Sequence, residues 1–557
     1  MVSREKKTLH IVLTISITVF LLIFAFLVWL IIAPDASGRE YNDPKVASRV
    51  VRGTIYDRNG EILSIETPYY ALALHIWNIS DTTSLIAKLS PIINMSEIDI
   101  ASSLEGKIRY ALIKKHLSTT EQNTLSKMIK RGELKGAVIE KRYGRVYPQS
   151  YHASQIIGFT NSENVGLEGL EYSYNATLSP YPQLHEDITY GNDVHLTLDM
   201  HIQYMLDFNI RDMVKEHNTQ SAVGLVLDAK TGAIIAATSY PWFDPSNYSL
   251  SSPESRRNSF ATEMREPGSV FKIFSLAAEL DSLSISPDEH FYCDGVYTFI
   301  GEDGNETTIN CVSPHGEVDP TTMIAKSCNG AVAHWSQAIE EDLFRDYLEK
   351  FGFTTYYDIP LAGVAGGYLA PTELWSDRTK ATISFGQEIA VTPLQIVVAA
   401  TAIANKGNRV APYLVSSVTD KNKRVLYEHN PIVLGENIID EEVALTVLEG
   451  MEKATMGGGT ATKTYVEGVV VGSKTGTAQV ANPLGGGYLT NTYLASTLSI
   501  FPLDDPSYII YVAALDPKGT TIWGSSIASP AIGNIISDMV RTGYIKSRAI
   551  EEVELHN

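Results

Sequence analysis

The chain has 557 residues, too many for one average domain and enough for two or three units that each bury a core. At 44% hydrophobic and 19% charged residues it fits neither a wholly disordered chain nor a polytopic membrane protein. A formal net charge of -20, with no Lys/Arg-rich run, argues against nucleic acid as a partner.

The first predicted element is an uncharged, mostly aliphatic run, Ile11 to Ile32. At about 1.5 Å per residue it spans about 33 Å, enough for a bilayer core. Arg4, Lys6 and Lys7 precede it, and Asp35, Arg39 and Glu40 follow. The positive-inside tendency therefore assigns 1–10 as a cytoplasmic tail, 11–33 as a transmembrane anchor and everything after Pro34 as extracytoplasmic. The run is longer than the apolar part of a signal peptide, and no A-x-A-like cleavage site follows it, so an uncleaved single-pass anchor in the cell membrane is expected.

Beyond the anchor, Arg52-Gly-Thr-Ile-Tyr-Asp-Arg-Asn-Gly60 ends in a turn dipeptide between Ile55 and Ile62-Leu63, which predicts a hairpin. From about 80 to 135 the pattern turns helical and lysine-rich, and 35–190 as a whole reads as a non-catalytic pedestal. A second unit, 193–545, opens with the alternating Val194-His-Leu-Thr-Leu198 and with Asp199 placed to cap a helix. The apolar positions of that helix are Ile202, Met205, Leu206, Ile210 and Met213. Ala222–Leu227 and Ala233–Thr238 predict an antiparallel hairpin around Asp228-Ala-Lys-Thr-Gly232. Val469–Lys474, Leu494–Phe501 and Tyr508–Leu515 predict further strands, followed by a helix from Pro530 to Thr542 and a tail, 546–557. Strands at both ends with helices between them imply one sheet that closes late in the chain.

Three cysteines, Cys293, Cys311 and Cys328, form neither a disulfide scaffold nor a C-x-x-C pair, so no metal is expected. A Cys293–Cys311 disulfide requires the fold to bring the two within bridging reach; two free thiols are the simpler expectation.

The chemistry is concentrated at Glu266-Pro-Gly-Ser-Val-Phe-Lys-Ile-Phe274. Pro267-Gly268 breaks the chain just before a helical stretch, so Ser269 sits at a helix start with Lys272 one turn on and on the same face. A partly desolvated lysine beside another cation is neutral enough to take the serine proton, and the helix start favours negative charge developing at the reaction centre. S-x-x-K alone is weak: Ser3-Arg-Glu-Lys6 has it in the cytoplasmic tail. Order supplies the specificity, because Ser327-Cys-Asn329 and Lys474-Thr-Gly-Thr477 follow in turn. Lys230-Thr-Gly232, Ser162-Glu-Asn164 and Ser173-Tyr-Asn175 precede the serine and read as structural. Lys474 is expected to end a Val-rich strand and to face the serine across a cleft. A phosphate loop is excluded because Ser473 stands where it requires glycine.

With these motifs in this order, the sequence resembles the class B penicillin-binding proteins, and the likeness runs over most of the chain. It extends to Gly169-Leu-Glu171, Leu196-Thr-Leu-Asp199, Arg257-Asn258, His315-Gly316, Phe385-Gly-Gln387, Thr392-Pro-Leu-Gln395 and Gly472–Gln479. The resemblance implies an α+β architecture: one N-terminal membrane helix, an elongated α+β pedestal of the dimerisation type, and a β-lactamase-like transpeptidase domain whose antiparallel sheet is flanked by helices. It implies a peptidoglycan D,D-transpeptidase that cross-links stem peptides ending in D-Ala-D-Ala through a serine acyl-enzyme and is covalently inhibited by β-lactams. Ser269 would be the nucleophile, Lys272 its proton acceptor, Ser327 a proton relay, and Asn329 a hold on the substrate or on Lys272. Lys474 would supply positive charge, and Thr475, Gly476 and Thr477 would bind the substrate carboxylate. No cofactor is implied. Cell-wall and division proteins, a polytopic glycan polymerase among them, are the implied partners. Ala381-Thr-Ile-Ser-Phe-Gly-Gln387 resembles the division-associated branch more than the elongation branch. A β-lactamase would need no anchor or pedestal, and a penicillin-sensing receptor would carry several membrane spans.

Overall fold

The computed structural model describes Thr18 and residues 49–183, 187–301, 304–483 and 485–547. The expected anchor, 11–33, and the cytoplasmic tail lie outside the described residues, as does most of the C-terminal tail; among the described residues no helix is long and apolar enough to cross a membrane. The chain divides into two compact units, residues 1–50 with 181–189, and residues 51–180 with 190–557. The described part of the first contributes to the short strands Arg49–Val51 and Ile188–Tyr190. Among the described residues, the elements that follow belong to the second.

At the base of the second unit, the predicted hairpin forms between Ile55–Tyr56 and Ile62–His75, with Gly60 at φ 87° in the turn. The long strand Ile62–His75 pairs antiparallel with Ala137–Val146 along ten registered positions and with Tyr110–Lys114 on its other side. Within 80–135, where the pattern reads as helical, the strand Tyr110–Lys114 interrupts the helices. Its alternate residues Ala111 and Ile113 are buried, a period of two that a helical window averages away. The flanking helices, Thr82–Ile93, Glu97–Leu104 and Thr119–Lys130, bury Leu85, Leu89, Ile100 and Leu125 against that sheet. Each starts at a polar cap, Asp81, Ser96 and Ser118, the last in a capping box with Glu121. The sheet does not stop at the pedestal: Ile55–Tyr56 runs parallel to Asp193–Leu196, which continues antiparallel into Val415–Thr419.

A buried ion cluster ties this base together. Glu171, fully enclosed, accepts from Arg52 Nε at 2.7 Å and Arg145 Nε at 2.6 Å, and from Ser64 Oγ at 2.5 Å. Arg52 also donates to Asn175 Oδ1, and Arg145 to the carbonyl of Gly53. Burial pushes the Glu171 carboxyl up, but the two guanidinium charges and the hydrogen bonds outweigh it and hold the group below the ordinary carboxylate value.

The second sheet has five antiparallel strands in the spatial order Ile234–Tyr240, Ser221–Asp228, Tyr508–Leu515, Tyr488–Phe501, Gly472–Ala481. Alternation splits its residues between two cores. Val226, Ile510, Val512 and Ala495 pack with Ile202, Leu206 and Ile210 of the helix Met200–His217 and with Ile532, Ile535 and Ile536 of the helix Gly524–Arg541. Leu225, Leu227, Tyr511 and Leu498 face the opposite core, with Phe271, Ile273 and Leu394. Asp199 caps the first helix through His201 and Ile202 N–H, as its sequence position predicts.

Several boundaries differ from expectation, and the strand expected from Leu494 begins at Tyr488. The strand bearing Lys474 begins at Gly472, not Val469, and runs on to Ala481, so the motif lies inside the strand and not at its end. The apolar Val469–Val471 packs as an approach segment, with Val470 O accepting from Leu503 N–H. The last helix starts at Gly524 and carries Pro530 within it, because proline removes one helix hydrogen bond without ending a helix whose apolar face is buried on both sides of it. The three cysteines are free.

Removing the Glu171 charge leaves two buried guanidinium groups unpaired. Glu171→Gln is expected to destabilise the folded chain by about 3–5 kcal/mol in denaturant unfolding, whereas Lys406→Ala, which breaks an exposed pair with Glu441, changes it by no more than about 1 kcal/mol. Because the folded Glu171 carboxyl titrates below its unfolded value, its contribution is present above the ordinary carboxylate range and is lost as pH falls through the folded value.

Candidate active site

Three distant chain segments meet at one cleft. The first is the turn Gly268–Phe271, which leads into the helix Lys272–Asp281. Gly268 adopts φ 60°, and the buried Val270, Phe271, Ile273 and Phe274 anchor the segment, leaving Ser269 at its half-exposed tip. The second is the junction between the helices Pro320–Lys326 and Asn329–Ser336, where Ser327 terminates the first helix in the left-handed region at φ 59° and Cys328 caps the second. The third is Gly472–Ala481, the outermost strand of the sheet.

The side chains converge closely. Lys272 Nζ donates to Ser269 Oγ at 2.5 Å, to Asn329 Oδ1 at 2.7 Å and to Ser327 Oγ at 3.3 Å. Lys474 Nζ donates to Ser327 Oγ at 2.8 Å and to its neighbour's carbonyl, Thr475 O, at 2.9 Å. Asn329 Nδ2 is in turn held by the carbonyl of Asn310. Both lysines are fully buried. Burial pulls the Lys272 ammonium down to about 8, and burial together with the Lys272 charge pulls Lys474 well below the usual lysine value. Two like charges sharing one hydroxyl in an enclosed site favour a state in which one amine is neutral. A neutral Lys272 in contact with Ser269 reverses the direction of that hydrogen bond and accepts the hydroxyl proton.

Thr475 and Thr477 line the same cleft, of about 290 Å³, with Ser269, Ser327, Asn329 and Trp523. Thr475 Oγ1 donates to Thr460 Oγ1, and Thr477 Oγ1 accepts from Gly524 N–H. Every residue singled out from the three motifs is therefore in or against one site, and Lys474 reaches Ser327 across it. The earlier look-alikes are elsewhere: Lys230 lies in a hairpin turn paired with Asp505, and Asn175 serves the Arg52 cluster. Ser3 and Lys6 lie outside the described residues.

Some contributors carry no motif of their own. Thr460 meets Thr475 only through the fold. The glycines are explained by close approach: a Cβ on Gly476 would lie 2.6 Å from Ser496 Oγ and 3.2 Å from Pro267 O, and one on Gly524 would lie 2.4 Å from Gly476 O. Gly386, at φ 82°, passes so near that a Cβ would lie 2.2 Å from Gly268 O, while its own carbonyl accepts from Gly268 N–H. His315 and Cys311 lie close to Cys293 and Cys328, a grouping that spacing along the chain did not reveal.

Residues 222–537 match the family described as the penicillin binding protein transpeptidase domain, and residues 47–186 match the penicillin-binding protein dimerisation domain. The chain is 29% identical to stage V sporulation protein D of Bacillus subtilis, over 89% of this chain and 79% of that one. It is 26% identical to the peptidoglycan D,D-transpeptidase FtsI of Escherichia coli, over 95% of this chain and 91% of that one. In fold it is similar to penicillin-binding protein 3 of Mycobacterium tuberculosis, solved in complex with aztreonam, with a TM-score of 0.71 and 24% identity over 90% of this chain and 98% of that one.

The packing of the edge strand on the serine segment predicts a specific cost. Gly476→Ala is expected to destabilise the chain by about 1–3 kcal/mol in thermal or denaturant unfolding. Adding Ser496→Ala recovers the larger share, since Ser496 Oγ is the nearest obstacle.

Proposed function

The chain belongs to the penicillin-binding protein transpeptidase family, and on that premise we propose that Ser269 carries the acyl-enzyme of a serine-type peptidoglycan D,D-transpeptidase anchored in the cell membrane. The observation that carries the reading is the contact of Ser269, Lys272, Ser327, Asn329 and Lys474 in one enclosed cluster.

The geometry supports a division of labour. Neutral Lys272 takes the Ser269 proton as Oγ attacks the carbonyl carbon of the penultimate D-Ala. The backbone N–H groups of Ser269 and Thr477 receive the developing oxyanion, each donor being worth about 10²–10³ in rate. Thr475 and Thr477 hold the terminal carboxylate, whose negative charge beside Lys474 favours the protonated amine there and leaves Lys272 the neutral one, and Gly476 lets the strand lie close to the nucleophile. Collapse of the tetrahedral centre breaks the amide bond, and Ser327, bonded to both lysines, passes a proton to the departing D-Ala amine. The stem-peptide amine of a neighbouring strand then attacks the ester, loses its proton along the same route and regenerates Ser269. A β-lactam follows the first half of the path, but its leaving amine stays tethered, so the acyl-enzyme persists.

The membrane anchor at 11–33, with the N-terminus cytoplasmic and the remainder extracytoplasmic, follows from the charge asymmetry of the amino terminus. A septal role is the reading supported by similarity to FtsI over nearly the whole chain, with a polytopic glycan polymerase and other division proteins as partners. Similarity to a stage V sporulation protein favours a second reading, the same chemistry applied to a spore wall. A fluorescently tagged chain in its own cells that concentrates at division septa supports the first; concentration at forespores alone supports the second.

The chemistry is tested with a donor peptide ending in D-Ala-D-Ala and an amine acceptor. The chain is expected to release D-Ala and form the cross-linked product, and Ser269→Ala to do neither. Hydrolysis with no cross-link in the presence of acceptor would contradict transpeptidation. Acylation by a fluorescent penicillin is expected to slow by about tenfold per pH unit below about 8, because protonation of Lys272 removes its capacity to accept the serine proton. A rate flat between pH 6 and pH 9 would exclude Lys272 as the base.

A further inference from the structure

Beside the catalytic cluster lies a second group of side chains that the proposed reaction does not use. Cys293 ends the strand Phe291–Cys293, Cys311 follows the strand Glu306–Asn310, His315 precedes the strand Gly316–Val318, and Cys328 is the middle residue of Ser327-Cys-Asn329. Their ligand atoms all lie within 4.8 Å of one another. Cys293 Sγ is 3.7 Å from Cys311 Sγ, Cys311 Sγ is 3.7 Å from Cys328 Sγ, and Cys293 Sγ is 3.5 Å from His315 Nδ1.

These separations match a particular geometry. Tetrahedral zinc, bound to thiolates at about 2.3 Å and to imidazole at about 2.0–2.1 Å, sets neighbouring sulfurs about 3.75 Å apart and sulfur and nitrogen about 3.5 Å apart. A disulfide needs sulfurs at about 2.05 Å and would leave the third thiol and the imidazole without a role. Cys293 and Cys328 are buried, and Cys311 and His315 are half-buried, so the group is sheltered yet reachable from the cleft that His315 lines.

The surroundings are those of a thiolate site. Gly330 N–H donates to Cys311 Sγ at 3.2 Å and Ala331 N–H to Cys328 Sγ at 3.4 Å, both from the first turn of the helix Asn329–Ser336. Lys326 Nζ donates to the carbonyl of His315 at 3.1 Å, and His315 N–H to the carbonyl of Cys293 at 3.1 Å. Three thiolates and Zn²⁺ sum to one negative charge, partly offset by these donors and by the nearby lysines.

We propose that Cys293, Cys311, His315 and Cys328 form a structural zinc site that clamps the strands of residues 291–318 to the Ser327-Cys-Asn329 junction and so fixes the two polar side chains flanking Cys328. This replaces the expectation of no metal. C-x₃-H and the gaps of 17 and 16 residues between the cysteines fit no short zinc signature, because the site is assembled by two hairpin-like pairings and not by one knuckle. With four protein ligands the ion has no open position, so it acts as a positioning element and takes no part in proton or acyl transfer.

The site is tested on the full chain, purified without chelator. Elemental analysis is expected to find roughly one zinc per chain in the wild type, and a large loss in Cys311→Ser and Cys328→Ser. To separate loss of metal from loss of fold, the wild type is also stripped with a chelator and reloaded. Cobalt(II) is expected to give the visible absorption of a tetrahedral thiolate complex. Stripping is expected to slow penicillin acylation by about 10–100-fold, with recovery on adding Zn²⁺. Only this rate arm rests on the proposed transpeptidase function; Ser269→Ala is expected to retain its zinc while forming no acyl adduct, which separates the two readings. A wild-type chain that lacks zinc and takes up none, a disulfide between any two of the cysteines, or full zinc content in the cysteine variants would overturn the site. Bound zinc whose removal leaves acylation unchanged would overturn its positioning role.

Discussion

Two lysines buried against one hydroxyl set the terms for the rest of the catalytic half. Lys272 and Lys474 both reach Ser327 Oγ, and neither is exposed to water that would stabilise its charge. Burial draws both proton affinities down, and at Lys474 the Lys272 charge adds to it, so an ordinarily protonated amine can accept a proton near neutral pH. The arrangement persists only if the helix start, the helix junction and the edge strand that supply the three groups are held in place to within fractions of an ångström. Glycines at the crossings make this possible. Gly386 and Gly524 let backbones pass where any side chain would collide, and Gly268 and Gly476 keep the serine segment and the edge strand in tight contact.

Rigidity elsewhere serves the same end. The five-stranded sheet carries a full core on each face, and alternate residues of one strand, such as Ile510 and Tyr511, belong to different cores. A shift of one register would exchange them, so the position of the edge strand is fixed by both cores at once. At the base, Glu171 draws Arg52, Arg145 and Ser64 from separated parts of the pedestal to a single point. The other sheet passes from pedestal strands to Asp193–Leu196 and Val415–Thr419, so the pedestal shares a hydrogen-bonded ladder with the half that bears the site. The cysteine and histidine group performs a comparable task at the Ser327 junction if it holds a metal ion.

Much of this was legible in the sequence. Asp199 as a cap, the helix it starts, the hairpin around Asp228–Gly232 and the order of the three motifs all follow from local chemistry, since each depends on residues within one or two turns of chain. What was missed depends on distant neighbours. Tyr110–Lys114 is a strand because Ile62–His75 lies beside it, and Pro530 sits within a helix because the apolar face on either side is buried. The extension of the Lys474 strand to Ala481 is set by its pairing with Tyr488–Phe501. Cys293, Cys311, His315 and Cys328 look scattered along the chain and converge only when the strands between residues 291 and 318 fold over the junction. Thr460 and Ser496 carry no motif, and their importance is visible only in what they touch.

Acylation of Ser269, and slow hydrolysis of the ester it forms, are read from the intact mass of the chain over time after addition of benzylpenicillin. A gain of one penicillin mass is expected, mapped to Ser269, persisting long after free drug is removed and absent from Ser269→Ala. An adduct that disappears within seconds would indicate a hydrolase, and a folded chain that never gains the mass would contradict the assignment of the lysine cluster as an acylation site.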